Sequence, residues 1–369
     1  MSHLNKNTSN PFRFGTVVEG EFFTNREKEL QMVIDIISGE NHLVMLSPRR
    51  FGKTSLINKA IHQTGRPCIS LDLQSITSVS DLSAQLLKRI LKQYPYEKIK
   101  LFIKRFKNVP ILSLNPQTNS IDISFQPGVN SFDTLSDVFQ LIENIGERGP
   151  KPILFFDEFQ EILNIDKNLD KQLRSIIQYH KAVNYIFIGS YEGMMREIFE
   201  KKKSPFYHFG HLLTLKKISH SDFSIFLQDR FVKISKQSEA IANNILAFSN
   251  CHPYYTQQLA WQVWNNIVQG FNSDIIQESV NDLIQSHDND YERIWNTLGQ
   301  TDRKILIGLT IQNISVLDKK ALNIFELPAT STVFSSLKRL LYKGYIIKGT
   351  HYEFDDPFFR EWIIRKRAE

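Results

Sequence analysis

Cysteine is nearly missing from this chain: two residues, Cys68 and Cys251, in 369. They lie far apart, so a disulfide framework or a cysteine metal site is not expected, and free thiols in a reducing compartment fit. Long apolar runs are missing too, since no segment approaches the ~20 consecutive apolar residues that a membrane helix needs. The N-terminus, MSHLNKNTSNPF, is polar where a signal peptide carries an apolar core. The expectation is a cytoplasmic protein without a membrane partner. No charge sign dominates: a net charge of +6 permits contact with nucleic acid or anionic ligands without requiring it. The ten histidines are scattered, with only His208 and His211 close together, which suits surface or loop positions better than metal ligation. Internal repeats and low-complexity tracts are absent.

What the chain does have is length enough for two or three domains and a strand–helix alternation in its first part. Leu30, Val33, Ile34 and Ile37 recur at helical spacing over 24–37, behind Thr24 and Glu27, which spell a capping box. Strands are expected at 42–46, 67–73, 153–159 and 184–189, with helices at 53–63, 78–93, 131–147 and 168–182. Strands that are apolar on both faces imply a parallel sheet covered by helices on each side. Residues 1–16 read as a loose arm, and 94–130 as an insertion with a strand-like patch at Ile121–Phe125. Beyond residue 210 a short strand (212–215) is followed by helices near 219–233, 238–249, 253–269 and 273–298. From about 300 the pattern is three helices and a hairpin, the outline of a winged helix-turn-helix. The division expected is 1–210 for the sheet domain, 211–295 for a helical lid and 296–369 for the winged helix.

Three stretches carry chemistry. LSPRRFGKTSLI, residues 46–57, stands between a strand and a helix. Successive backbone N–H groups there can wrap a phosphate, helped by the positive end of the helix that follows. Gly52 is where the main chain must pass closest to phosphate, Lys53 can supply a point charge, and Thr54 a hydroxyl for Mg²⁺. Ser47 stands where the common G-x-x-x-x-G-K-[ST] spelling has its first glycine. The second stretch, ILFFDEF, ends in Asp157 and Glu158 at the C-terminal end of a strand, where ligands bind in open parallel sheets. Asp157 would orient Mg²⁺ and Glu158 would polarise an attacking water. The third, YIFIGSYEG, places Ser190 beyond a strand. Its hydroxyl suits a place between the metal carboxylate and a γ-phosphate, though a plain Gly-Ser turn explains it nearly as well.

With these stretches in hand the chain resembles the archaeal-type ATPases, a branch of the STAND/AAA+ group of P-loop NTPases, over almost its whole length. SPRRFGKTSL resembles that family's phosphate loop, in which Pro-Arg-Arg precedes the glycine and the first glycine varies. ILFFDEFQEI resembles its Walker B strand and FIGSYEGMM its sensor-1 strand. CHPYYTQQLA resembles the lid segment, and DDPFFREWI the signature after the winged helix. The resemblance implies an αβα P-loop fold with a helical lid and a winged helix. It implies ATP and Mg²⁺ as cofactors, with Ser47, Pro48, Arg49, Arg50, Phe51, Gly52, Lys53, Thr54 and Ser55 around the phosphates. It implies Asn25 and Arg26 near adenine and Pro253 near the base or ribose. Lys53, Glu158 and Ser190 become the catalytic residues, and Thr54 and Asp157 the metal-side residues. One departure stands out: His208 and Phe209 occupy the place where the family carries a Gly-Arg thought to sense γ-phosphate.

The reading is therefore an ATP-binding, slowly hydrolysing molecular switch. The alternative is a winged-helix DNA-binding regulator in which the nucleotide site is secondary. Residues 291–369 hold 13 Lys/Arg against 9 Asp/Glu, a surplus weaker than the basic stripe of a dedicated DNA reader. DNA and protein both stay open as partners of the winged helix, as does a homo-oligomer. In the aromatic group Tyr254, Tyr255, Trp261 and Trp264, most members suit core packing, and only Tyr254 or Tyr255 is placed to stack on adenine.

Overall fold

Strands that are apolar on both faces must lie inside a layered sheet. In the computed structural model, which describes residues 9–24, 26–115, 120–271, 274–311 and 323–367, that is where they lie. The chain divides into a sheet unit, residues 26–47 and 53–215, and a helical unit made of the described residues of 1–24, residues 48–52 and residues 216–367.

The sheet unit contains β1 (Leu43–Leu46), β2 (Cys68–Asp72), β5 (Ile153–Asp157), β6 (Asn184–Gly189) and β7 (His211–Thr214), ordered β2-β5-β6-β1-β7 and parallel throughout. The register pairs Leu46 with Gly189 and Phe156 with Phe187, so β1, β5 and β6 end at the same edge. The helices of this unit are α1 (Glu27–Ser38), α2 (Lys53–Thr64), α3 (Val79–Gln93), α4 (Tyr96–Ile103), α5 (Ser131–Glu147), α6 (Ile162–Ile165), α7 (Leu169–Ile177) and α8 (Glu192–Phe199). Ser78 Oγ accepts from Asp81 N and starts α3; Asn130 Oδ1 accepts from Phe132 N and starts α5. The core is aromatic along the sheet: Phe139, Phe156, Tyr185 and Phe187 are fully or almost fully buried, with neighbouring rings stacked near 6 Å.

Several expectations are corrected here. The capping box fails: α1 starts at Glu27, its cap position is Arg26 without a side-chain cap, and Arg26 instead pairs with Glu29 of the first turn at 3.2 Å. The helix expected over 168–182 stops at Ile177, because His180 Nδ1 meets the buried Tyr185 hydroxyl at 2.6 Å and turns the chain into β6. The 94–130 region is more regular than its prolines suggest. It holds α4 and an antiparallel pair, β3 (Ile111–Asn115) and β4 (Ser120–Ser124), with Asp122 of β4 joined to Lys88 of α3 at 3.2 Å.

In the helical unit, α9 (His220–Phe231), α10 (Ser238–Ser249), α11 (Pro253–Val268) and α12 (Ile275–Thr297) are followed by α13 (Gln300–Thr310), α14 (Thr330–Tyr342), β8 (Ile346–Lys348), β9 (Tyr352–Phe354) and α15 (Pro357–Arg367). The second of the three expected C-terminal helices falls mostly outside the described residues. Gly344, with φ at 73°, stops α14 in a conformation that favours glycine. Asp356 caps α15, its Oδ1 accepting from Phe358 N at 2.8 Å and Phe359 N at 3.2 Å, with Pro357 in the first helical position. The arm is not loose over its described part. Asn10 Nδ2 donates to Trp261 O and Asn265 Oδ1, Phe12 is fully buried against Phe231 and Trp264, and Phe14 sits edge-on to Tyr254 and Trp261. Among the described residues no helix is long and apolar enough to cross a membrane.

One buried histidine in the sheet unit gives a pH test. His42 Nδ1 accepts from Tyr185 N at 3.3 Å and its ring packs on Tyr185 and Phe209. Burial first, then the charges of Arg174 and His180, push its pKa down to about 4 from 6.5. The fold keeps this imidazole neutral, so its contribution is complete above pH 6.5 and is lost as pH falls toward about 4. Urea unfolding of the wild type should lose stability over that interval more steeply than His42→Gln does; equal slopes would contradict the assignment.

Candidate functional site

β1 delivers the chain to Ser47, which is fully buried, and α2 takes it up again at Lys53. Between them Arg50 and Gly52 take left-handed backbone angles, φ 64° and 85°. A side chain at Gly52 would meet no heavy atom within 4 Å, so the glycine answers a conformational demand beside open space. Lys53 is 7% exposed, and its Nζ donates to Ser47 O at 2.9 Å, back across the turn. Thr54 Oγ1 donates to Asp157 Oδ2 at 3.0 Å. That hydroxyl and carboxylate are hard oxygen donors of the kind Mg²⁺ accepts, beside phosphates and water. The residues present therefore fit the metal.

The end of β5 is shaped by Glu158, whose backbone is left-handed at φ 50°. For a residue with a side chain this costs about 1 kcal/mol. Glu158 N donates to Asp157 Oδ1 at 2.9 Å. Glu158 Oε2 accepts three hydrogen bonds, from Gln160 Nε2 at 2.6 Å, Ser190 Oγ at 2.7 Å and Ser190 N at 3.3 Å. Burial alone would raise the Glu158 pKa, but the bonds from Gln160 and Ser190 and the charge of Lys53 outweigh it and hold the carboxylate ionised. Asp157 goes the other way: burial and then the Glu158 charge raise its pKa, against Thr54, the Glu158 N–H and Lys53. Two adjacent carboxylates are thus pushed apart in proton affinity, as acid–base sites often are.

The structure brings together Lys53, Thr54, Asp157, Glu158 and Ser190 in the sheet unit. Ser190 bonds to Glu158, where the sequence suggested a place between the metal carboxylate and a phosphate. Ser55 is buried in the first turn of α2, Pro48 is half-buried and Arg49 is exposed. Arg26 is 5% exposed and turned onto Glu29; Asn25 lies outside the described residues. Pro253 opens α11 behind His252, whose Nδ1 accepts from Tyr254 N at 3.2 Å. His208 is left-handed at φ 55°, and Phe209 packs on Phe187, Phe206 and His42. Phe209 is half-buried and the Arg174 guanidinium lies 4.5 Å over its ring, so an arginine in that position would meet a like charge.

Two features were not legible from sequence. Gln160, fully buried two residues after Glu158, is one; nothing in its spelling separates it from a solvent-facing glutamine. The other bears on the stacking idea. Tyr255 is 3% exposed and its hydroxyl accepts from Arg50 Nη1 at 2.8 Å, while the Arg50 guanidinium lies 4.7 Å from the Tyr254 ring centre. Both tyrosines are engaged by a residue of the phosphate loop.

Comparison with known proteins gives the family. Residues 23–259 match the family described as an ATPase domain predominantly from Archaea, and residues 289–365 match a probable winged helix domain. No curated protein sequence matches the chain. Among solved structures, a Walker-type ATPase of Pyrococcus abyssi is similar at 18% identity, with 95% of this chain and 99% of that one covered and a TM-score of 0.68. Cdc6p from Pyrobaculum aerophilum is similar at 12% identity, covering 97% of this chain and 98% of that one, with a TM-score of 0.48. The first likeness shows a shared fold.

Gly189, the last residue of β6, tests the packing behind Glu158. A Cβ there would come within 2.4 Å of Gln160 Oε1 and 2.5 Å of the Met195 side chain. Gly189→Ala should destabilise the sheet unit by about 1–3 kcal/mol in urea unfolding, as overpacking does. An unchanged midpoint would mean that Gln160 is not held where it must be to bond Glu158.

Proposed function

This chain belongs to the family of ATPase domains found predominantly in Archaea and carries a winged helix domain, and on that premise we propose that it is a slow, Mg²⁺-dependent ATPase working as a nucleotide switch. The observation that carries this reading is the convergence of Lys53, Thr54, Asp157 and Glu158 where β1 and β5 end. In this reading Lys53 holds the outer phosphates as a point charge, and the backbone of 47–54 wraps them. Bound Mg²⁺ would neutralise developing charge on the phosphates. Thr54 and Asp157 are the residues that would hold it. Glu158 is anchored through Oε2 alone among the described hydrogen bonds, which leaves Oε1 to accept from a water and orient it. Arg26 and Asn25 on the adenine side, and Pro253 near the ribose, stay part of the proposal. So does the division of labour in which 211–295 acts as a lid and 296–369 as the output.

Slow turnover follows from Phe209. The resemblance sets a γ-phosphate-sensing arginine in this stretch, and such a residue is worth roughly a thousandfold or more in some NTPases. Here an apolar ring fills the place and serves the core.

For the winged helix, the surface of α14 supports a protein partner over a DNA reader. Phe334 and Tyr342 are exposed on it, Lys338 lies 4.9 Å over the Phe334 ring, and Arg339 is bonded to Asp302 at 2.6 Å. A helix that meets phosphates would be expected to spend its arginine on them.

Calorimetry with Mg·ATP tests the first claim: Lys53→Ala should lose binding while its circular dichroism stays that of the wild type, and equal affinities would contradict it. Glu158→Gln should keep binding and lose phosphate release by about a hundredfold or more. Release at the wild-type rate would remove Glu158 from the water-orienting role.

A further inference from the structure

Arg50 and Phe51 sit at the middle of the phosphate loop, and both are seated on the start of α11. Arg50 needs holding, because its left-handed backbone at φ 64° is unfavourable for a residue with a side chain. Two contacts hold it: the hydrogen bond to the Tyr255 hydroxyl at 2.8 Å and the guanidinium over the Tyr254 ring at 4.7 Å. Phe51, 3% exposed, sets its ring edge-on to His252 at 4.8 Å. The turn before α11 is itself strained, with Asn250 and Cys251 both left-handed.

Behind both contacts stands the same short segment, 355–358. His252 accepts at Nδ1 from Tyr254 N, and its Nε2 lies 3.3 Å from Asp355 Oδ1. Asp356 accepts from Tyr291 Oη at 3.0 Å while it caps α15. Burial, then the charges of Asp356 and Asp355, raise the Tyr255 pKa well up, so its hydroxyl stays neutral and available to Arg50. Phe51 is therefore backed by Asp355 through His252, and Arg50 by the last helix through Tyr255, whose ring lies edge-on to Phe358 at 6.1 Å. Neither the aromatic pair nor the aspartate pair is needed merely to fill space: leucines would fill it, and would leave the guanidinium without an acceptor.

We propose that Arg50 is a positioning residue: seating it on Tyr254 and Tyr255 fixes the left-handed turn of the phosphate loop, and the 355–358 segment makes that turn depend on how the last helix is seated. The inference rests on the nucleotide-binding reading above, and it names the route by which the winged helix region would act on that site. Arg50 is not assigned to the reacting atoms.

Steady-state kinetics and calorimetry on the full chain separate the possibilities. Tyr255→Phe keeps the ring and removes only the hydroxyl; it should raise KM and the ADP dissociation constant about tenfold and leave kcat within about twofold. Arg50→Ala should do the same, the double variant should be no worse than Arg50→Ala alone, and Asp355→Asn should weaken binding in the same direction. In the nucleotide-free protein, amides of 48–54 should exchange faster in Tyr255→Phe. A silent Tyr255→Phe beside an Arg50→Ala that loses about a hundredfold in kcat would place Arg50 on the substrate and overturn the inference. Lower melting temperatures with unchanged KM, dissociation constant and exchange would also overturn it, leaving a structural contact. If the wild type binds no nucleotide, the ATPase reading itself falls, an outcome distinct from either of these.

Discussion

Lys53, 7% exposed at the start of α2, holds its ammonium with Nζ donating to the Ser47 carbonyl at 2.9 Å, and the neighbouring charges are arranged around it. A buried cation must be compensated, since desolvation of an unpaired ammonium costs far more than one hydrogen bond returns. Its charge lowers the proton affinity of both Asp157 and Glu158, against burial that raises it. Glu158 also has Gln160 and Ser190, and the combination takes it below the usual carboxylate range, whereas Asp157 ends above it. Gly189 and the left-handed turn at Glu158 are the local conditions for that split, one leaving room for Gln160 and the other aiming the carboxylate at Ser190. A triphosphate offers the same ammonium a stronger partner than a carbonyl, which is why a site built this way suits a phosphate ligand.

Much of this was legible in the sequence because the sheet is parallel and covered. LVML, ILFF and NYIFIG are apolar on both faces and short, and each ends where a polar residue can only be at the sheet's edge. The family's αβα sheet and winged helix followed from the motifs and are what the chain has. Capping logic was less dependable: Ser78 and Asn130 cap as their types suggest, while Thr24 and Glu27 spell a box that the chain does not form. The arm failed for a different reason. Asn10, Phe12 and Phe14 alternate over too few residues to read as an element, and their partners Trp261, Trp264 and Asn265 lie some 250 positions away, beyond the reach of any local pattern. The same holds for Tyr255, whose hydroxyl meets Arg50 205 positions earlier; Gln160 bonds a residue only two positions back, but the room it occupies is left by Gly189.

The Asp-Asp-Pro-Phe-Phe stretch is now readable residue by residue. Asp356 and Pro357 start a helix by cap and by fixed φ, Phe358 and Phe359 fill the core, and Arg360 bonds the Thr310 carbonyl. Only Asp355 does nothing for α15; it faces His252 instead. A motif that is mostly helix-starting chemistry thus contains one residue turned toward the helix that seats Arg50 and Phe51.

A ligand can shift an equilibrium only through its differential affinity for the two states, so a nucleotide switch requires ATP and ADP to differ in what they order. Hydrogen exchange on the nucleotide-free, ADP-bound and ATP-analogue-bound forms measures this directly. The ATP analogue should protect backbone around 250–260 and alter exchange in α14, with ADP doing less. Identical exchange in α14 in all three forms would contradict the switch and leave the C-terminal region a passive appendage of the ATPase.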